Sequence, residues 1–438
     1  MHSARNEQMN EHPSPWPVLY ITYDGLMEPL GQSQVLPYLR GLAGDFSITV
    51  MSFEKVQDWA DRQRRQELQK ELDRARIEWI PLRYHKRPTV PATAFDVAHG
   101  ILRGARFALR RNPRIVHARG YVPGVIGLAL KRLAGMRLLF DMRGFWPDEK
   151  VDGGAWRRDS GVYRAAKWFE KRLLQRADAV VSLTQAGVEV MREFAYLRTR
   201  DVRFEVIPTC TDLELFHPAD ATNVDKRCGF VLGYVGSVGT FYLFDEVLEC
   251  FKELLKMRPE ARLLVLNRGD HDYVRARIRE CGVPVDKVDL HYVEYREVPG
   301  AMRRMDAAAF FIKPVFSKKC SAPTRLGEFL GSGVPCLVNA GVGDMDSVVS
   351  RARAGVVMPE FSPEARRAAV RELLALCADE GTQVRCVEAA RQHFSLERGV
   401  EAYRRVYREM GGRRGVPETA KVGGPVKELE YDHEWSHR

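Results

Sequence analysis

The chain has 438 residues, of which 45% are hydrophobic and 29% charged, and these proportions exclude a disordered or fibrous protein. This length exceeds what one hydrophobic core usually supports, so two domains of roughly 200 residues each are expected. The formal net charge of +10 predicts an anionic partner: nucleotide phosphates, an acidic membrane surface or nucleic acid. No basic stretch is interleaved with aromatic residues, which argues against nucleic acid.

The cysteines and the apolar segments of the sequence indicate the cellular compartment. The eight cysteines are scattered and form no Cys-x-x-Cys pair, so neither a zinc site nor a disulfide framework is expected. Residues 1–17 are polar and lack the apolar core of a signal peptide, and no apolar run approaches the ~20 residues of a membrane span. These features predict a cytoplasmic protein.

The first half of the chain alternates strand and helix patterns after a polar tail over residues 1–17. Short apolar runs predict strands over Val18–Tyr23, Ser47–Phe53, Glu78–Leu82, Ile115–Ala118, Arg137–Asp141, Ala179–Leu183 and Phe204–Ile207. This alternation is typical of a doubly wound α/β domain. The loop after the first strand contains Gly31 and Gln32, at the place where open parallel sheets bind ligands. A purely structural turn is the alternative.

Two helical segments of this half are strongly polar. Residues 58–76 are dense in Arg, Gln and Glu, which predicts a solvated amphipathic helix. Residues 102–114 mix Leu and Phe with five arginines. That second surface either faces solvent or rests on anionic lipid headgroups.

Polar side chains follow two neighbouring predicted strands. His117 lies near the end of the strand predicted at Ile115–Ala118. Arg143, Asp148 and Glu149 follow the strand predicted at Arg137–Asp141. The carboxyl ends of parallel strands line the ligand crevice of such a sheet. We therefore expect these four residues in a functional site, with a buried structural role as the alternative for His117.

The second half repeats the pattern after a turn-rich junction at 206–218 and a polar linker at 219–227. Strands are predicted over 230–235, 263–267, 288–291, 306–312 and 336–339. The first of them leads into Gly236, Ser237 and Thr240 and then a long helix, an order that suits a phosphate. No Gly-Lys-Ser/Thr follows, so this loop is not a Walker A sequence.

The stretch 317–335 is the most informative in the chain. A turn from Ser321 to Thr324 precedes a short helix whose free N–H groups and dipole suit a phosphate, with Lys318 just upstream. Glu328, about one turn into that helix, is placed to accept hydrogen bonds from a diol such as a ribose. An ordinary helix with a solvated Glu is the alternative.

The segment Glu328-Phe-Leu-Gly-Ser-Gly-Val-Pro335 resembles the Glu-x-x-Ala-x-Gly-x-Pro pattern of retaining glycosyltransferases of family 4, in which the Glu binds the donor's ribose. Gly331 replaces the usual Ala. The junction at 206–218 and the terminal helices at 389–407 also resemble that family. The family usually has another Glu near the transferred sugar, where this chain has Cys320. The resemblance therefore indicates a subfamily that contacts the sugar with other groups.

This resemblance implies the GT-B fold, in which two Rossmann-like domains, each a doubly wound parallel sheet, face a deep cleft. The domains would span 18–218 and 219–395, a closing helix at 396–410 would return to the first domain, and 411–438 would be a disordered tail.

The resemblance also implies transfer of a sugar from a nucleoside-diphosphate sugar to an acceptor hydroxyl, with retention and without a metal or other cofactor. The two glycine loops and the helix start would bind the donor, Arg268 and Lys318 would supply positive charge, and 293–295 would lie near the base. The four polar residues after the first-domain strands would form the catalytic side. The expected acceptor is a lipid-linked glycan of surface polysaccharide synthesis, used by a protein peripheral to the inner face of the membrane.

Two other functions stay open. An inverting transfer or an epimerisation would need a base, for which Asp148 or Glu149 is available. An inactive sugar-nucleotide-binding partner of a glycan assembly is favoured only by Cys320 and by the neutral loop at 236–240.

Overall fold

A computed structural model describes residues 16–218 and 229–412. The predicted tails and linker fall largely on residues 1–15, 219–228 and 413–438, which lie outside the described residues. The predicted doubly wound α/β architecture is confirmed, because the described chain forms two parallel sheets of seven and six strands with helices packed around them.

The strands of the first sheet are β1 (Trp16–Thr22), β2 (Phe46–Glu54), β3 (Glu78–Arg83), β4 (Ile115–Arg119), β5 (Arg137–Asp141), β6 (Ala179–Ser182) and β7 (Phe204–Val206). Those of the second sheet are β8 (Val231–Val235), β9 (Arg262–Leu266), β10 (Val288–His291), β11 (Ala307–Ala309), β12 (Cys336–Asn339) and β13 (Gly355–Met358). The strand orders are β3-β2-β1-β4-β5-β6-β7 and β10-β9-β8-β11-β12-β13.

Helices connect these strands. In the first half they are α1 (Pro29–Gln34), α2 (Leu36–Leu42), α3 (Val56–Ala60), α4 (Arg62–Arg74), α5 (Thr89–Arg111), α6 (Tyr121–Ala134), α7 (Trp146–Asp152), α8 (Gly161–Arg176) and α9 (Gln185–Arg192). In the second half they are α10 (Phe244–Met257), α11 (His271–Glu280), α12 (Val298–Met302), α13 (Thr324–Gly331), α14 (Met345–Ala352), α15 (Pro363–Cys377), α16 (Thr382–Phe394) and α17 (Leu396–Gly411). Short 3-10 turns cover Val285–Lys287, Tyr295–Glu297 and Phe316–Cys320.

Side-chain alternation along the strands builds a core on each face of the first sheet. In β1, Val18 and Tyr20 join one buried cluster, whereas Leu19 and Ile21 join the cluster on the opposite face. Successive side chains of a strand point to opposite faces, so a strand covered by helices on both sides must be apolar throughout. This is why the parallel strands appear in the sequence as continuous apolar runs.

The chain crosses between the two halves at two adjacent places. The Thr211 N–H donates to the Phe394 carbonyl (2.7 Å), and the Leu396 N–H donates to the Thr211 carbonyl (3.1 Å). Beyond this junction α17 packs on the first sheet, where Tyr403 and Tyr407 are buried. Helix α17 therefore contacts the first sheet, and the predicted domain boundaries stay predictions.

Three predicted elements differ from the structure by more than a few residues, and strand β13 was not predicted. The helix expected at 58–76 is divided, because Asp61 is extended and its carboxylate caps α4 by accepting from the Arg64 N–H (3.0 Å). Helix α5 starts before residue 102, at Thr89. Strand β11 covers only Ala307–Ala309, and after Phe310 the backbone leaves the ladder, since the Ile312 N–H donates to the side-chain Oδ1 of Asn339 (2.8 Å). Within the described ranges no helix is both long and apolar enough to cross a bilayer.

Candidate active site

Loops from the two sheets meet at the carboxyl ends of their strands. Strand order reverses beside β1 in the first sheet and beside β8 in the second, which is where doubly wound sheets bind ligands. Gln34 Nε2 donates to Thr324 Oγ1 across the gap (2.8 Å), and the Ser317 N–H donates to Asp152 (3.0 Å). The cleft around these contacts is the candidate active site.

Gln34, the last residue of α1, accepts hydrogen bonds from two arginines in this cleft. Its Oε1 accepts from Arg119 and from Arg143, each at 3.2 Å, and Arg143 also donates to Thr209 Oγ1 (3.3 Å). Two guanidinium groups therefore converge on one oxygen beside the first residue of α13, an arrangement that suits an anionic oxygen. Arg143 was predicted to lie here, and Arg119 belongs to the same polar segment as His117, whereas Gln34 has no recognisable pattern and was missed.

Arg143 is held in an unusual conformation. Its φ of 57° lies in the left-handed region that non-glycine residues rarely adopt, and its guanidinium lies 3.9 Å from Asp141. Burial raises the pKa of Asp141, but the charges of Arg143 and Arg119 together with His117 outweigh it and hold that pKa below its ordinary value. The site therefore keeps a buried ion pair beneath the cleft.

His117 lies deeper than predicted. Its Nδ1 is 2.7 Å from the Tyr407 hydroxyl, and Tyr403 donates to Asp141 Oδ2 (3.0 Å), so this cluster joins β4 and β5 to α17. Burial lowers the pKa of His117, which favours the neutral ring. These contacts favour the structural alternative, and a catalytic role for His117 stays an untested prediction.

The two carboxylates of α7, Asp148 and Glu149, lie in different environments. Asp148 is buried and accepts from the Tyr163 hydroxyl (2.8 Å) and from Lys167 (2.9 Å). Glu149 reaches across the cleft to Lys318, 3.3 Å away. Glu149 is thus in the cleft wall, whereas Asp148 supports α7 from behind.

Gly31 and Gln32 stabilise the conformation of the β1–α1 loop. A Cβ on Gly31 would lie 2.2 Å from the Gly25 carbonyl, and Gln32 Nε2 donates to the Leu26 carbonyl (2.7 Å). Both residues lie inside α1 and hold the loop against the helix. Their predicted contact with a donor stays untested.

The start of α13 also contains a cationic side chain, that of Arg325, which was not predicted as a site residue. The Arg325 guanidinium lies 4.4 Å from the ring centroid of Tyr242 and 5.8 Å from those of Tyr234 and Phe310. Its Nη1 is buried without a hydrogen-bond partner in the described chain, and no described carboxylate lies within ion-pair distance. Sequence analysis used only the N–H of Arg325, although an Arg in the first turn after Pro-Thr was a usable signal.

Glu328 lies one turn further along α13. It is buried, with the Tyr295 hydroxyl beside its carboxyl group, and burial raises its pKa to about 7 despite the opposing charge of Arg325. Tyr295 belongs to the segment predicted to lie near the base. The two predicted parts of a nucleoside site are therefore adjacent.

The β8–α10 loop covers Arg325. Gly236 has a φ of 124°, and a Cβ there would lie 2.2 Å from Arg325 Nη2, so only glycine fits. Thr240 is a β-branched residue with a φ of 52°, an outlier of the kind that clusters at ligand sites. Ser237 is exposed, and its carbonyl accepts from the Tyr234 hydroxyl (2.5 Å).

The other predicted donor contacts are dispersed. Lys318 is engaged by Glu149 and lies 3.9 Å from the Phe241 ring centroid, while Arg268 is exposed beyond β9. Ser321 precedes α13 and lines a cavity of about 440 Å³ that also contacts Pro323 and Leu326. That cavity is not lined by Arg325, Glu328, Gln34 or Arg143, so it is separate from the cleft just described.

Cys320 turns away from the cleft. It is buried in the core of the first half, with its Sγ 3.4 Å from Ser182 Oγ, and a Cβ on Gly187 would lie 2.7 Å from that sulfur. A longer, charged side chain would not fit here. The absence of a Glu at this position thus has a packing reason.

A second pair missed by sequence analysis lies on the first-half side. His85, in the loop after β3, has Nδ1 2.6 Å from the buried Asp96, which also accepts from the Tyr23 hydroxyl (2.8 Å). The carboxylate orients the ring, and the opposite ring nitrogen makes no hydrogen bond within the described chain. The described residues contain no cluster of His, Cys, Asp or Glu suited to a metal ion.

Comparisons with known proteins agree with this architecture. Residues 35–210 match the family described as a glycosyl transferase 4-like domain. The chain is 25% identical over 321 residues to the D-inositol 3-phosphate glycosyltransferase of Nocardiopsis dassonvillei, which covers 69% of this chain and 72% of that relative. Similar solved structures include a glycosyltransferase from Rickettsia africae (TM-score 0.68, 13% identity, 92% of this chain and 100% of that one). The Anabaena protein HepE in complex with UDP-glucose is also similar (TM-score 0.61, 14% identity, 90% of this chain and 100% of that one).

The fold and its matches define a glycosyltransferase with the GT-B fold. More particularly, residues 35–210 of its first half are similar to the glycosyl transferase 4-like domain. The predicted fold and enzyme class are confirmed.

Proposed function

We propose that this enzyme transfers a sugar from a nucleoside-diphosphate sugar to an acceptor hydroxyl with retention of configuration. The observation that carries this proposal is the unpaired guanidinium of Arg325 at the start of α13, one turn before the buried Glu328. Arg325 is half-buried, and its Nη1 is fully buried without a hydrogen-bond partner in the described chain, so an anionic ligand would supply the missing partner.

The donor is assigned group by group. Its diphosphate lies at the start of α13, held by free N–H groups, by Arg325 and by the Gly236 loop. Its ribose hydroxyls donate to ionised Glu328, and its base lies against Tyr295. The similar Anabaena structure contains UDP-glucose, which supports a donor of this class.

Bond cleavage then develops negative charge on the leaving phosphate. Arg325, Arg143 and Arg119 surround that position, so no metal is required to stabilise the charge. The acceptor oxygen attacks from the face that the phosphate leaves, and its proton passes to the phosphate. The contacts of Glu149 with Lys318 and of Gln34 with Thr324 close the cleft against water.

The acceptor is proposed to be a lipid-linked glycan of cell-surface polysaccharide or glycolipid synthesis. The loops after β3 and β5 bind it, and His85 contacts its hydroxyl groups. An inverting transfer is the second candidate, because the His85–Asp96 pair has the arrangement of a general base.

The test is thermal stabilisation by a panel of UDP-, GDP-, ADP- and CMP-sugars. A ligand bound only to the folded state raises its apparent stability. One nucleotide sugar should stabilise the wild type, and Arg325→Gln and Glu328→Ala should abolish the shift. Arg303→Gln, an exposed change in the same half, is the control. No shift with any sugar, or an equal shift in all variants, would favour an inactive partner or a different site.

A further inference from the structure

A cavity separate from the cleft lies where the two halves of the chain join. This junction cavity has a volume of about 440 Å³, within the range of roughly 300–1,000 Å³ that is typical of small-molecule sites. The ends of β6 and β7 form one wall, and the turn before α13 together with parts of α14, α16 and α17 forms the other. Apolar side chains line both walls: Leu183, Val206, Ile207, Leu326, Met345 and Val348. Close-packed interiors leave few voids larger than a water molecule, so this space is a candidate ligand site.

The acidic side chains that line the junction cavity already have partners. Asp344 accepts from two backbone N–H groups at the start of α9 (2.6 and 2.9 Å). Glu205 pairs with Arg405. Glu401, at the rim, pairs with Arg404. These three carboxylates therefore do not call for a cationic ligand.

Two basic side chains of the lining are uncommitted. Arg398 and His393 are exposed on the open side of the junction cavity, and neither side chain has a hydrogen-bond or ion-pair partner in the described part of the chain. Partial burial lowers the pKa of His393, and the charge of Arg398 lowers it further, so the two groups lie close together. A guanidinium beside a neutral imidazole offers several N–H donors to one anionic group. The apolar walls below them suit an apolar ligand body.

We propose that the junction cavity binds a small organic anion. The apolar body of this ligand fills the space between the two halves, and its carboxylate, sulfonate or phosphate group faces Arg398 and His393. The site is distinct from the proposed donor site, because none of the residues assigned to the diphosphate or the ribose lines it.

The position of the junction cavity gives its occupant a regulatory role. The ligand contacts Ser321 and Pro323, which directly precede Thr324, the first residue of α13. Since the ligand also contacts the first half, it stabilises the arrangement in which Gln34 donates to Thr324. It therefore raises the affinity for a donor at the start of α13. This consequence, unlike the binding itself, rests on the proposed function.

The first measurement is a fluorescence titration of the full chain with two probes. Anilinonaphthalene sulfonate is an aromatic anion, and phenylnaphthylamine is a related ring system without the sulfonate. The anion should bind saturably, with one molecule per chain. The neutral probe should bind about tenfold more weakly, because it offers no charged partner to the basic side chains.

Substitution of Arg398 tests the charged end of the junction cavity. Arg398→Gln should weaken binding of the anion about fivefold and leave binding of the neutral probe unchanged. Arg391→Gln is the matched control, since Arg391 is an exposed arginine of α16 that does not line the cavity. Its affinity for both probes should equal that of the wild type.

Substitution of Ala402 tests the apolar end. Ala402→Phe places a ring in the junction cavity and should abolish binding of both probes. Ala368→Phe, at an exposed position of α15, is the matched control. Arg398→Gln changes only an exposed side chain, so the location remains testable even if the ring in Ala402→Phe prevents folding.

The second measurement compares donor affinity with and without the anionic probe. Saturating anion should raise the affinity for the stabilising nucleotide sugar about fivefold, and the sugar should raise the affinity for the anion by the same factor. In Ala402→Phe the anion should not change donor affinity.

Non-saturable binding, equal affinity for the two probes, or equal losses in Arg398→Gln and Arg391→Gln would overturn the site. Lower donor affinity in the presence of the anion would show that the probe occupies the cleft instead. Unchanged donor affinity would overturn the regulatory role. The first measurement uses no nucleotide sugar, so a failure of the proposed function leaves its result intact, and the reverse also holds.

Discussion

Gln34 Nε2 and Thr324 Oγ1 form a hydrogen bond of 2.8 Å that joins residues 290 positions apart in the chain. The same amide accepts from Arg119 and Arg143 through its oxygen. One neutral side chain thereby places two first-half cations next to the start of α13 in the second half, where the proposed phosphate lies.

Replacing Gln34 by Leu should therefore destabilise the protein by about 2 kcal/mol, because two buried guanidinium groups lose a hydrogen-bond acceptor. The free energy of unfolding from a denaturant titration measures this. Gln63→Leu is the control, since Gln63 is exposed and bonds only to Glu67 on its own helix. Equal stability of the two variants would contradict the role of Gln34.

Gly236→Ala should lower donor affinity about tenfold by displacing the Arg325 guanidinium from its aromatic surroundings. Gly269→Ala, where an added Cβ meets no atom within 4 Å, should leave affinity unchanged. Titration of the stabilising nucleotide sugar into each variant gives the comparison. Unaltered affinity in Gly236→Ala would exclude Arg325 as the phosphate ligand.

Glu328 predicts a pH dependence with a defined sign. Its folded pKa of about 7 exceeds the ordinary 4.5, so the folded state binds more protons between those values. The free energy of unfolding should fall as pH rises through that window, by about 3 kcal/mol in total. Glu328→Gln should lack this component, and the difference between the two stability curves isolates it.

Donor binding should follow the opposite trend. The ionised carboxylate is the form that accepts two hydrogen bonds from a diol. Affinity for the nucleotide sugar should thus increase as pH rises through about 7 in the wild type, whereas Glu328→Gln should bind weakly at every pH. Isothermal titration on both sides of neutrality measures this, and a flat wild-type profile would argue against ribose binding by Glu328.

Thr240→Gly should raise the free energy of unfolding by about 1 kcal/mol, because glycine relieves a β-branched residue at positive φ. Ser237→Gly, in the same loop but without positive φ, should lower it instead. If the Thr240 strain serves donor binding, the stabilised variant should also bind the donor less tightly.

Substitution of His85 should distinguish retaining from inverting transfer. With retention, His85→Gln should reduce kcat less than about tenfold, because no general base is required, and the product anomer should match that of the donor. Asp96→Asn should behave similarly through the orientation of the ring. Product stereochemistry by NMR decides, and an inverted anomer with a far larger loss in His85→Gln would establish the inverting alternative.

The sequence by itself determined the architecture and predicted one end of the candidate site. The interiors of strands buried on both faces must be apolar, so β5 and β12 were located to the residue. Glu328 and the start of α13 were predicted as donor-binding groups because helix starts and their chemistry are local, and that role stays a prediction. Arg143 was placed in the cleft because the carboxyl ends of parallel strands converge.

The tertiary structure decided what depends on distant contacts. The contacts of Gln34, Arg119 and the His85–Asp96 pair form only when loops far apart in sequence come together. No local sequence pattern predicts such contacts. His117 and Asp148 were predicted in the cleft by position, yet α17 and α8 bind their polar atoms from behind. Composition shows which residues are charged, but only packing decides which charges remain unpaired.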